Sequence, residues 1–272
     1  MINNAVNIQK VIIAGAGPGD PELITVKAVR YLNQADVVLT DRLVSQVIID
    51  THVPATAEIV YVGKQNKNGD SFPQAAINAL ILKYALEGKR VVRLKGGDVA
   101  FFSNVLDELN VLVENDIPFE IIPGITAASG ASAYAGIPIT ARGYATAARF
   151  ITCYNKEKLT DDYWIDLATT DDTLVCYMSS DVLEYLVEQL TRFFISADKS
   201  MAIIEQATTP FQKVHIVDLY NFQQDYQIKN LASPTLIIIG KVVALHEKVG
   251  WVKNAAVNDI YFEPLKNNAN AG

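Results

Sequence analysis

Short apolar runs alternate with segments of helical period along the first half of the chain. The runs KVIIAG, ADVVLT, EIVYVG, RVVRLKGG and FEIIPG are rich in β-branched residues, as is typical of buried strands. Between them, apolar residues recur every three to four positions at 21–34, from Pro73 onward and around 105–114. The alternation predicts a mostly parallel sheet covered by helices, with the helix from Pro73 ending near Gly88.

The pattern changes after about residue 140. The runs RFITCY, TLVCYM, MAIIEQ, KVHIVDL and PTLIIIG follow one another with fewer long helices between them, which indicates a mixed α+β unit. We therefore predict an α/β protein with an N-terminal α/β domain at 1–140, a C-terminal α+β domain at 141–253 and a tail at 254–272.

Composition narrows the class of protein. A chain of 272 residues, 50% hydrophobic and 19% charged, can bury a large core, and a net charge of −7 argues against nucleic acid or an anionic membrane as partner. The two cysteines lack the spacing of metal ligands, the three histidines are scattered, and we expect no metal. The first ten residues lack a signal-peptide pattern, and no apolar run approaches the ~20 residues of a membrane span. We expect a cytoplasmic protein.

The stretch VIIAGAGPGDPEL places a glycine-rich loop directly after the first predicted strand. A dinucleotide fingerprint starting at Gly15 needs a third glycine where Asp20 stands. An anion-binding loop also needs free backbone N–H groups, whereas Pro18 has none and the aspartate would repel an anion. The loop is therefore not interpreted as a phosphate site.

Three stretches rich in small residues, GAGPGD, LKGGD and PGITAASGASAYAG, follow predicted strands and should line one crevice at the carboxyl edge of the sheet. Asp20, Asp41 and Asp98 lie near strand ends and would favour a cationic ligand there. Two alternatives remain open: the small residues serve helix packing alone, and each aspartate caps a helix, which is the more common role of a single aspartate.

The ordered motifs GAGPGDPELITVKA, ADVVLTDRLV, VGK, VVRLKGGD, PGITAASGASAYAGIPITAR, TLVCYM and SPTLIIIGKVVAL resemble those of the uroporphyrinogen-III C-methyltransferases. The similarity extends from about Val11 to Trp251. It implies the two-domain tetrapyrrole methyltransferase fold, a homodimer, and S-adenosylmethionine bound between the domains. The cationic sulfonium of this methyl donor agrees with an acidic, phosphate-free crevice.

The resemblance also implies roles for individual residues. The resemblance assigns Met178 to donor binding, and the alternative for this residue is a core position at the end of a strand. The implied donor-binding residues are Pro18, Gly96, Gly97, Asp98, Phe101, Thr126, Ala127, Met178 and Ala207.

The reaction implied by the resemblance is two methyl transfers to pyrrole carbons of uroporphyrinogen III, giving precorrin-2 for sirohaem or cobalamin. Asp41 matches the candidate base, and Lys64 matches a residue that meets the substrate. Because the substrate carries eight carboxylates, its binding site needs cationic side chains. For Arg149, one of the candidates, a solvated charge on the surface is the alternative. The candidate cations are Arg42, Lys64, Arg142 and Arg149.

Several positions depart from the family pattern, mainly where the substrate is expected. Val99 replaces a proline, Ser103 a glycine and Asn104 an arginine, while Gln206 and Ala207 replace an Arg-Gly pair. Three further hypotheses therefore stay open: methyl transfer to another tetrapyrrole or other acceptor, a non-catalytic ligand-binding member of the family, and a nicotinamide oxidoreductase, which the first loop opposes.

Overall fold

The computed structural model describes residues 7–63, 73–153, 159–225 and 230–263. The chain divides into two compact units. The first unit is Met1–Thr126 together with Phe262–Gly272, and the second is Ala127–Tyr261.

The first unit contains a five-stranded sheet in the order β3-β2-β4-β1-β5, in which all neighbouring strands are parallel. All five carboxyl ends therefore lie on one edge, called here the first carboxyl edge. The strands are β1 (Val11–Gly15), β2 (Val37–Thr40), β3 (Glu58–Tyr61), β4 (Val91–Lys95) and β5 (Phe119–Ile122). This arrangement confirms the predicted parallel sheet.

Helices cover both faces of the first sheet. Ile81 of α3 and Leu112 of α4 belong to the apolar core on one face, and Leu32 of α1 and Ile48 of α2 to the core on the other. The helices are α1 (Val26–Leu32), α2 (Gln46–His52), α3 (Gln74–Leu86) and α4 (Val105–Glu114). As predicted, α3 ends near Gly88, which has the left-handed conformation with a φ of +74°.

The helix predicted at 21–34 is instead a 3-10 turn at Pro21–Leu23 followed by α1. Two side chains separate the 3-10 turn from α1, because each caps the first turn of one of these two elements. Asp20 Oδ1 accepts from the Glu22 amide at 2.9 Å, and Thr25 Oγ1 accepts from the Ala28 amide at 3.2 Å.

The second unit contains a mixed sheet in the order β6-β7-β10-β8-β9. Strands β6 and β7 are parallel, and β10 runs antiparallel to both β7 and β8. The carboxyl ends of β6, β7 and β8 therefore share one edge, called here the second carboxyl edge. The strands are β6 (Ala148–Thr152), β7 (Thr173–Tyr177), β8 (Ser200–Glu205), β9 (Lys213–Asp218) and β10 (Thr235–Gly240).

Helices also pack on this sheet. Trp164 of α6 and Leu186 of α7 are buried in the core on one face, and Ala128, Ala131 and Ala135 of α5 lie in the core on the other. None of the helices that the structure describes is both long and apolar enough to cross a membrane. The helices are α5 (Ala127–Ala135), α6 (Asp161–Thr169), α7 (Leu183–Arg192), α8 (Phe222–Asp225) and α9 (Leu245–Val249).

The two units divide between Thr126 and Ala127, whereas the sequence-based boundary lies at residue 140. Helix α5 accounts for the difference, because its buried side chains Ala128, Ala131 and Ala135 belong to the core of the second sheet. The expected tail is also divided, since Tyr261 belongs to the second unit and Phe262 to the first.

Cys153 and Cys176 are buried free thiols at the end of β6 and within β7. Burial raises the pKa of Cys153 to about 11 and raises the pKa of Cys176 well above its usual range. A thiol reacts as its thiolate, so both should be unreactive in the folded protein.

We predict that Ellman's reagent modifies neither cysteine at pH 8 in the native protein, where a thiol of pKa about 11 is only about one thousandth ionised. The same protein in guanidinium chloride should release two equivalents of the chromophore. Rapid release of either equivalent from the native protein would contradict the burial described here.

Candidate functional site

Strands β1, β4 and β5 meet backbone to backbone at the first carboxyl edge. The Gly17 amide donates to the Gly97 carbonyl at 3.1 Å, and the Gly97 amide donates back at 2.7 Å. A Cβ on Gly15 would lie 2.5 Å from the Gly97 oxygen, and a Cβ on Gly124 would lie 2.9 Å from the Cα of Gly15. Gly15, Gly17, Gly97 and Gly124 are called here the glycine junction, and at Gly15 and Gly124 the neighbouring backbone leaves no space for a side chain.

Glycines also join the remaining neighbours along this edge. A Cβ on Gly96, after β4, would lie 2.7 Å from the carbonyl oxygen of Leu43, in the loop after β2. A Cβ on Gly63, after β3, would lie 2.5 Å from the amide nitrogen of Arg42. The loop carrying Asp41 is therefore held between its two neighbours by backbone contacts.

The carboxylates of Asp20 and Asp98 hold loops in place. Asp98 Oδ1 accepts from the Ala100 amide at 2.8 Å, and Oδ2 accepts from the Gly124 amide at 2.7 Å. Asp20 caps the 3-10 turn described above. Asp20 therefore caps a helix, as in the alternative interpretation, whereas Asp98 stabilises the turn after β4 and the loop after β5 and caps no helix that the structure describes. The amide of Gly17 and the amide of Gly97 each donate to the carbonyl oxygen of the other residue, so neither is available to an anion, which agrees with the rejection of a phosphate loop.

Asp41 contacts a group of buried charges between the sheet and α4. Arg93 Nη2 donates to Asp41 Oδ1 at 2.6 Å, and Arg93 Nε donates to Glu108 Oε1 at 2.8 Å. Lys95 Nζ donates to both carboxylate oxygens of Glu108 at 3.0 Å. These four residues, called here the charge cluster, contain two cations and two carboxylates. Arg93, Lys95 and Glu108 were not among the predicted site residues.

The electrostatics of the cluster follow from burial and pairing. Burial opposes the charge on Arg93, but Asp41 and Glu108 outweigh it and raise the pKa of the guanidinium. Burial, followed by the charge of Arg93, lowers the pKa of Lys95. Asp41 is the most accessible of the four, with 25% of its side chain exposed, compared with 2% for Arg93. The buried guanidinium thus fixes the orientation of a carboxylate that a ligand can reach.

Residues in the left-handed conformation mark the second carboxyl edge. Met178 follows β7 with a φ of +50° and is 56% exposed. Gln206 and Thr208, on either side of Ala207 after β8, have φ of +45° and +67°. Such backbone is uncommon outside glycine and is concentrated at functional sites. The exposure of Met178 argues against the alternative of a core residue.

Tyr177 links α5 to this edge. Its hydroxyl oxygen accepts a hydrogen bond from the Ala128 amide at 3.0 Å, in the first turn of α5. Tyr177 and Ala207 belong to one apolar cluster, and Ala127 packs against it. The structure therefore brings Ala127, Met178 and Ala207 together at the second carboxyl edge. Tyr177 was not predicted, because its spacing matches an ordinary strand residue.

The other predicted donor-binding residues belong to the first unit and lie on its carboxyl edge. Pro18 is buried in the loop that contains Gly17, and Phe101 is exposed in the loop after β4. Thr126 lies two positions after the glycine junction. The predicted residues therefore form two groups, one on the carboxyl edge of each sheet.

The predicted cations have different surroundings. Arg42 Nη1 donates to the Phe262 carbonyl at 3.1 Å, and burial lowers the pKa of its guanidinium. Arg142 is exposed between α5 and β6. Lys64 lies outside the described residues.

Arg149 is not brought to the second carboxyl edge. It lies in the amino-terminal half of β6, where its Nε donates to Asp172 at 2.6 Å, its Nη1 pairs with Asp166 and its Nη2 donates to Thr170 at 3.0 Å. These partners already engage the guanidinium. Among the residues that the structure describes, no group of three or more His, Cys, Asp or Glu side chains could hold a metal ion.

The segment that departs from the family pattern forms the turn into α4. Val99 is buried in the core of the first unit, and the Ser103 hydroxyl donates to the Val99 carbonyl. Asn104 precedes α4 with a φ of +53°, a conformation that asparagine tolerates better than most residues. The changed residues are thus accommodated by a local turn.

Comparisons with known proteins identify the family. The sequence pattern of the Tetrapyrrole (Corrin/Porphyrin) Methylases matches residues 10–223. This chain belongs to that family, as the resemblance predicted. It is 47% identical over 243 residues to the siroheme synthase of Acinetobacter baylyi, covering 89% of this chain and 53% of the relative. It is 45% identical over 252 residues to the siroheme synthase of Vesicomyosocius okutanii, and the match covers 92% of this chain and 54% of the relative. The chain spans about half the length of these curated relatives.

Solved structures confirm the predicted fold class. A uroporphyrin-III C-methyltransferase from Thermus thermophilus is 32% identical with a TM-score of 0.74, covering 90% of this chain and 97% of that one. A structure of this Thermus enzyme complexed with S-adenosylhomocysteine is 31% identical with a TM-score of 0.70, and the match covers 86% of this chain and 93% of that one. A cobalt precorrin-4 methyltransferase is 26% identical with a TM-score of 0.75, covering 86% and 95%.

We predict that Gly124→Ala destabilises the protein by about 1–3 kcal/mol, because the added methyl group would force β1, β4 and β5 apart. Gly143→Ala is the matched control, since a Cβ there meets no atom within 4 Å and the cost is limited to the strain of its positive φ. Urea unfolding of both variants measures the difference. A Gly124 variant no less stable than the Gly143 variant would contradict the junction.

Proposed function

We propose that this chain is an S-adenosylmethionine-dependent methyltransferase that methylates carbon atoms of uroporphyrinogen III and yields precorrin-2. The observation that carries the proposal is membership of the tetrapyrrole methylase family, with a similar Thermus structure that holds S-adenosylhomocysteine. The homodimer and the cytoplasmic location implied by the sequence are part of the same proposal.

The donor-side residues fit this methyl donor by their chemistry. Backbone atoms of Gly96 and Gly97 and the small or apolar side chains of Pro18, Ala127 and Ala207 suit a nucleoside without a phosphate. The exposed Met178, held in a left-handed conformation, adds a polarisable contact. S-adenosylmethionine supplies an electrophilic methyl group with a good leaving group, so the protein must mainly align the reactants and exclude water.

Recognition of the acceptor requires cations for its carboxylates. Arg42 on the first carboxyl edge, the exposed Arg142 and Lys64 are the candidates that we retain. Arg149 is not retained, because Asp166, Asp172 and Thr170 engage its guanidinium.

Asp41 is proposed to accept the proton that leaves the pyrrole carbon after each transfer. Its carboxylate is partly exposed, and Arg93 holds one of its oxygens at 2.6 Å. Glu108 in turn holds Arg93 at 2.8 Å, so the base is oriented through two successive ion pairs.

Two measurements test the proposal. Calorimetric titration with S-adenosylhomocysteine should show binding to the donor site. Anaerobic incubation with uroporphyrinogen III and S-adenosylmethionine should give a product that has gained two methyl groups by mass spectrometry. Absence of both binding and mass gain would refute the proposed function.

Asp41→Asn should lower kcat by about 10²–10⁴-fold, the usual contribution of a positioned acid or base, and leave the affinity for S-adenosylhomocysteine unchanged. Asp36→Asn is the matched control. Asp36 pairs with Arg90 at 2.6 Å at the amino-terminal end of β2 and β4, whereas Asp41 and Arg93 pair toward the carboxyl end of the same strands. Loss of the Asp36–Arg90 ion pair should leave kcat unchanged. Equal rates for the Asp41 variant and the unmodified protein would contradict the role of the base.

A second candidate is methyl transfer to another acceptor, favoured by Asn104 where the family pattern has an arginine. If uroporphyrinogen III is bound through this turn, Asn104→Arg should tighten its binding about tenfold or more, from about 1.5–3 kcal/mol for a charged hydrogen bond. Asn104→Gln adds length without charge and should change nothing. Anaerobic titration measures both variants, and unchanged affinity in the arginine variant would favour the other acceptor.

A further inference from the structure

We infer that the segment at 254–261, called here the C-terminal strap, fixes the donor-binding turn through the side-chain amide of Gln206. The inference rests on the proposed function, because it assigns Gln206 as a positioning residue for Ala207. It adds a segment that lies outside the residues matched to the family, 10–223.

The Gln206 amide bonds the strap with both of its polar atoms. Nε2 donates to the Asp259 carbonyl at 2.8 Å, and Oε1 accepts from the Tyr261 amide at 2.7 Å. The bonded carbonyl and amide are two residues apart, so the side chain pairs with the strap as a neighbouring strand would. Gln206 is 2% exposed, and these bonds satisfy polar atoms that water does not reach.

The strap is also tied to the hairpin of β8 and β9. Asn254 Oδ1 accepts from the Val214 amide at 2.7 Å, and Asn254 Nδ2 donates to the Val214 carbonyl at 3.0 Å. The Ala255 amide donates to the Gln212 carbonyl at 3.0 Å. The strap therefore approaches Gln206 from a fixed position on the second sheet.

From Gln206 the connection continues into the donor-binding turn. The Gln206 carbonyl accepts from the Thr209 amide at 3.2 Å and from its hydroxyl at 2.8 Å, and the Thr208 amide donates to Gln212 Oε1 at 2.8 Å. Ala207 lies between these bonds and belongs to the same apolar cluster as Tyr177. The strap, the turn and the first turn of α5 thus form one contiguous set of contacts.

Strain explains why the turn needs this support. Gln206 and Thr208 both have positive φ, and such backbone persists only where the surroundings determine it. The backbone amide of Gln206 also donates to the Pro234 carbonyl at 2.8 Å, so loss of the side-chain bridge should loosen the turn rather than unfold it, and we expect Ala207 to be displaced as Gln206 relaxes toward an ordinary φ. The family's arginine at this position donates hydrogen bonds but accepts none, so it cannot receive the Tyr261 amide. A side chain that both donates to the Asp259 carbonyl and accepts from the Tyr261 amide is supplied by glutamine and not by arginine.

Gln206→Asn tests the bridge without penalising the turn, because asparagine favours positive φ but is one methylene too short to reach both strap atoms. We expect the Kd for S-adenosylhomocysteine to rise at least about fivefold, the lower end of typical coupling between sites. The thermal unfolding midpoint should fall by only a few degrees, because buried hydrogen bonds are lost while the core is unchanged, so the variant is folded at the temperature of the titration. Asn258→Ala is the matched control, since Asn258 belongs to the strap but bonds Lys213 instead. It should bind as tightly as the unmodified protein.

Tyr261→Pro removes the other half of the bridge, the amide hydrogen, and should weaken binding more than Tyr261→Ala, which removes the ring and keeps the amide. Unchanged affinity in both Gln206→Asn and Tyr261→Pro would overturn the inference, as would an equal loss in Asn258→Ala. Absence of both S-adenosylhomocysteine binding and methyl transfer in the unmodified protein would overturn the proposed function and this inference with it. A loss confined to the two bridge variants supports the inference and leaves the proposed function intact.

Discussion

Backbone contact at glycines is the constraint on which the first unit depends. Each pair of neighbouring strands in the order β3-β2-β4-β1-β5 is joined at its carboxyl end through a glycine that has no space for a Cβ. The loops after the strands therefore take their positions from the sheet and from one another. The amides of Gly17 and Gly97 are used in this junction, so the edge presents shape and apolar surface rather than a ring of free N–H groups.

The charge cluster is held in place by this frame. Burying an arginine, a lysine and a glutamate has a large desolvation cost, and apolar residues of similar size often give equal or better stability. The cluster is thus poorly explained by stability alone. Its one accessible carboxylate, Asp41, lies on the loop that Gly63 and Gly96 approach from either side. The frame fixes the backbone of that loop, and Arg93 fixes its carboxylate.

Sequence patterns predicted the elements whose own residues determine them. The apolar periodicity of α3 and α4 marked both helices, and α4 occupies 105–114 as predicted. The break before α1 escaped the pattern, because Leu23 and Ile24 continue the apolar spacing while the Thr25 hydroxyl begins the helix. The boundary expected at residue 140 differs from the division after Thr126, because the sequence of an alanine-rich helix such as α5 does not reveal which sheet it packs on.

The candidate site residues also divide into those that short motifs indicate and those whose partners lie on other elements of the fold. Motif resemblance indicated Asp41 and the glycines as candidates, because it rests on short stretches of neighbouring residues. Arg93 and Lys95 alternate with Val92 and Leu94 in β4, which is typical of a strand with one face in water. Only tertiary packing shows that α4 covers that face and supplies Glu108. The partners of Arg149 also lie on other elements, so its charge alone suggested a substrate contact that the structure does not favour.

The two halves of the proposed reaction therefore rest on different physics and respond differently to substitution. The donor contacts that we propose for the backbone depend on glycines such as Gly97, and a Cβ on Gly15 or Gly124 would meet backbone atoms at or just beyond the ends of the neighbouring strands. Acceptor contacts made by cations can be lost singly, at about 1.5–3 kcal/mol each, without disturbing the frame. The departure at Asn104, where the family pattern has an arginine, would be of this second kind, because a local turn accommodates it together with Ser103. A protein built in this way can change its acceptor by side-chain substitution while its donor site keeps the same shape.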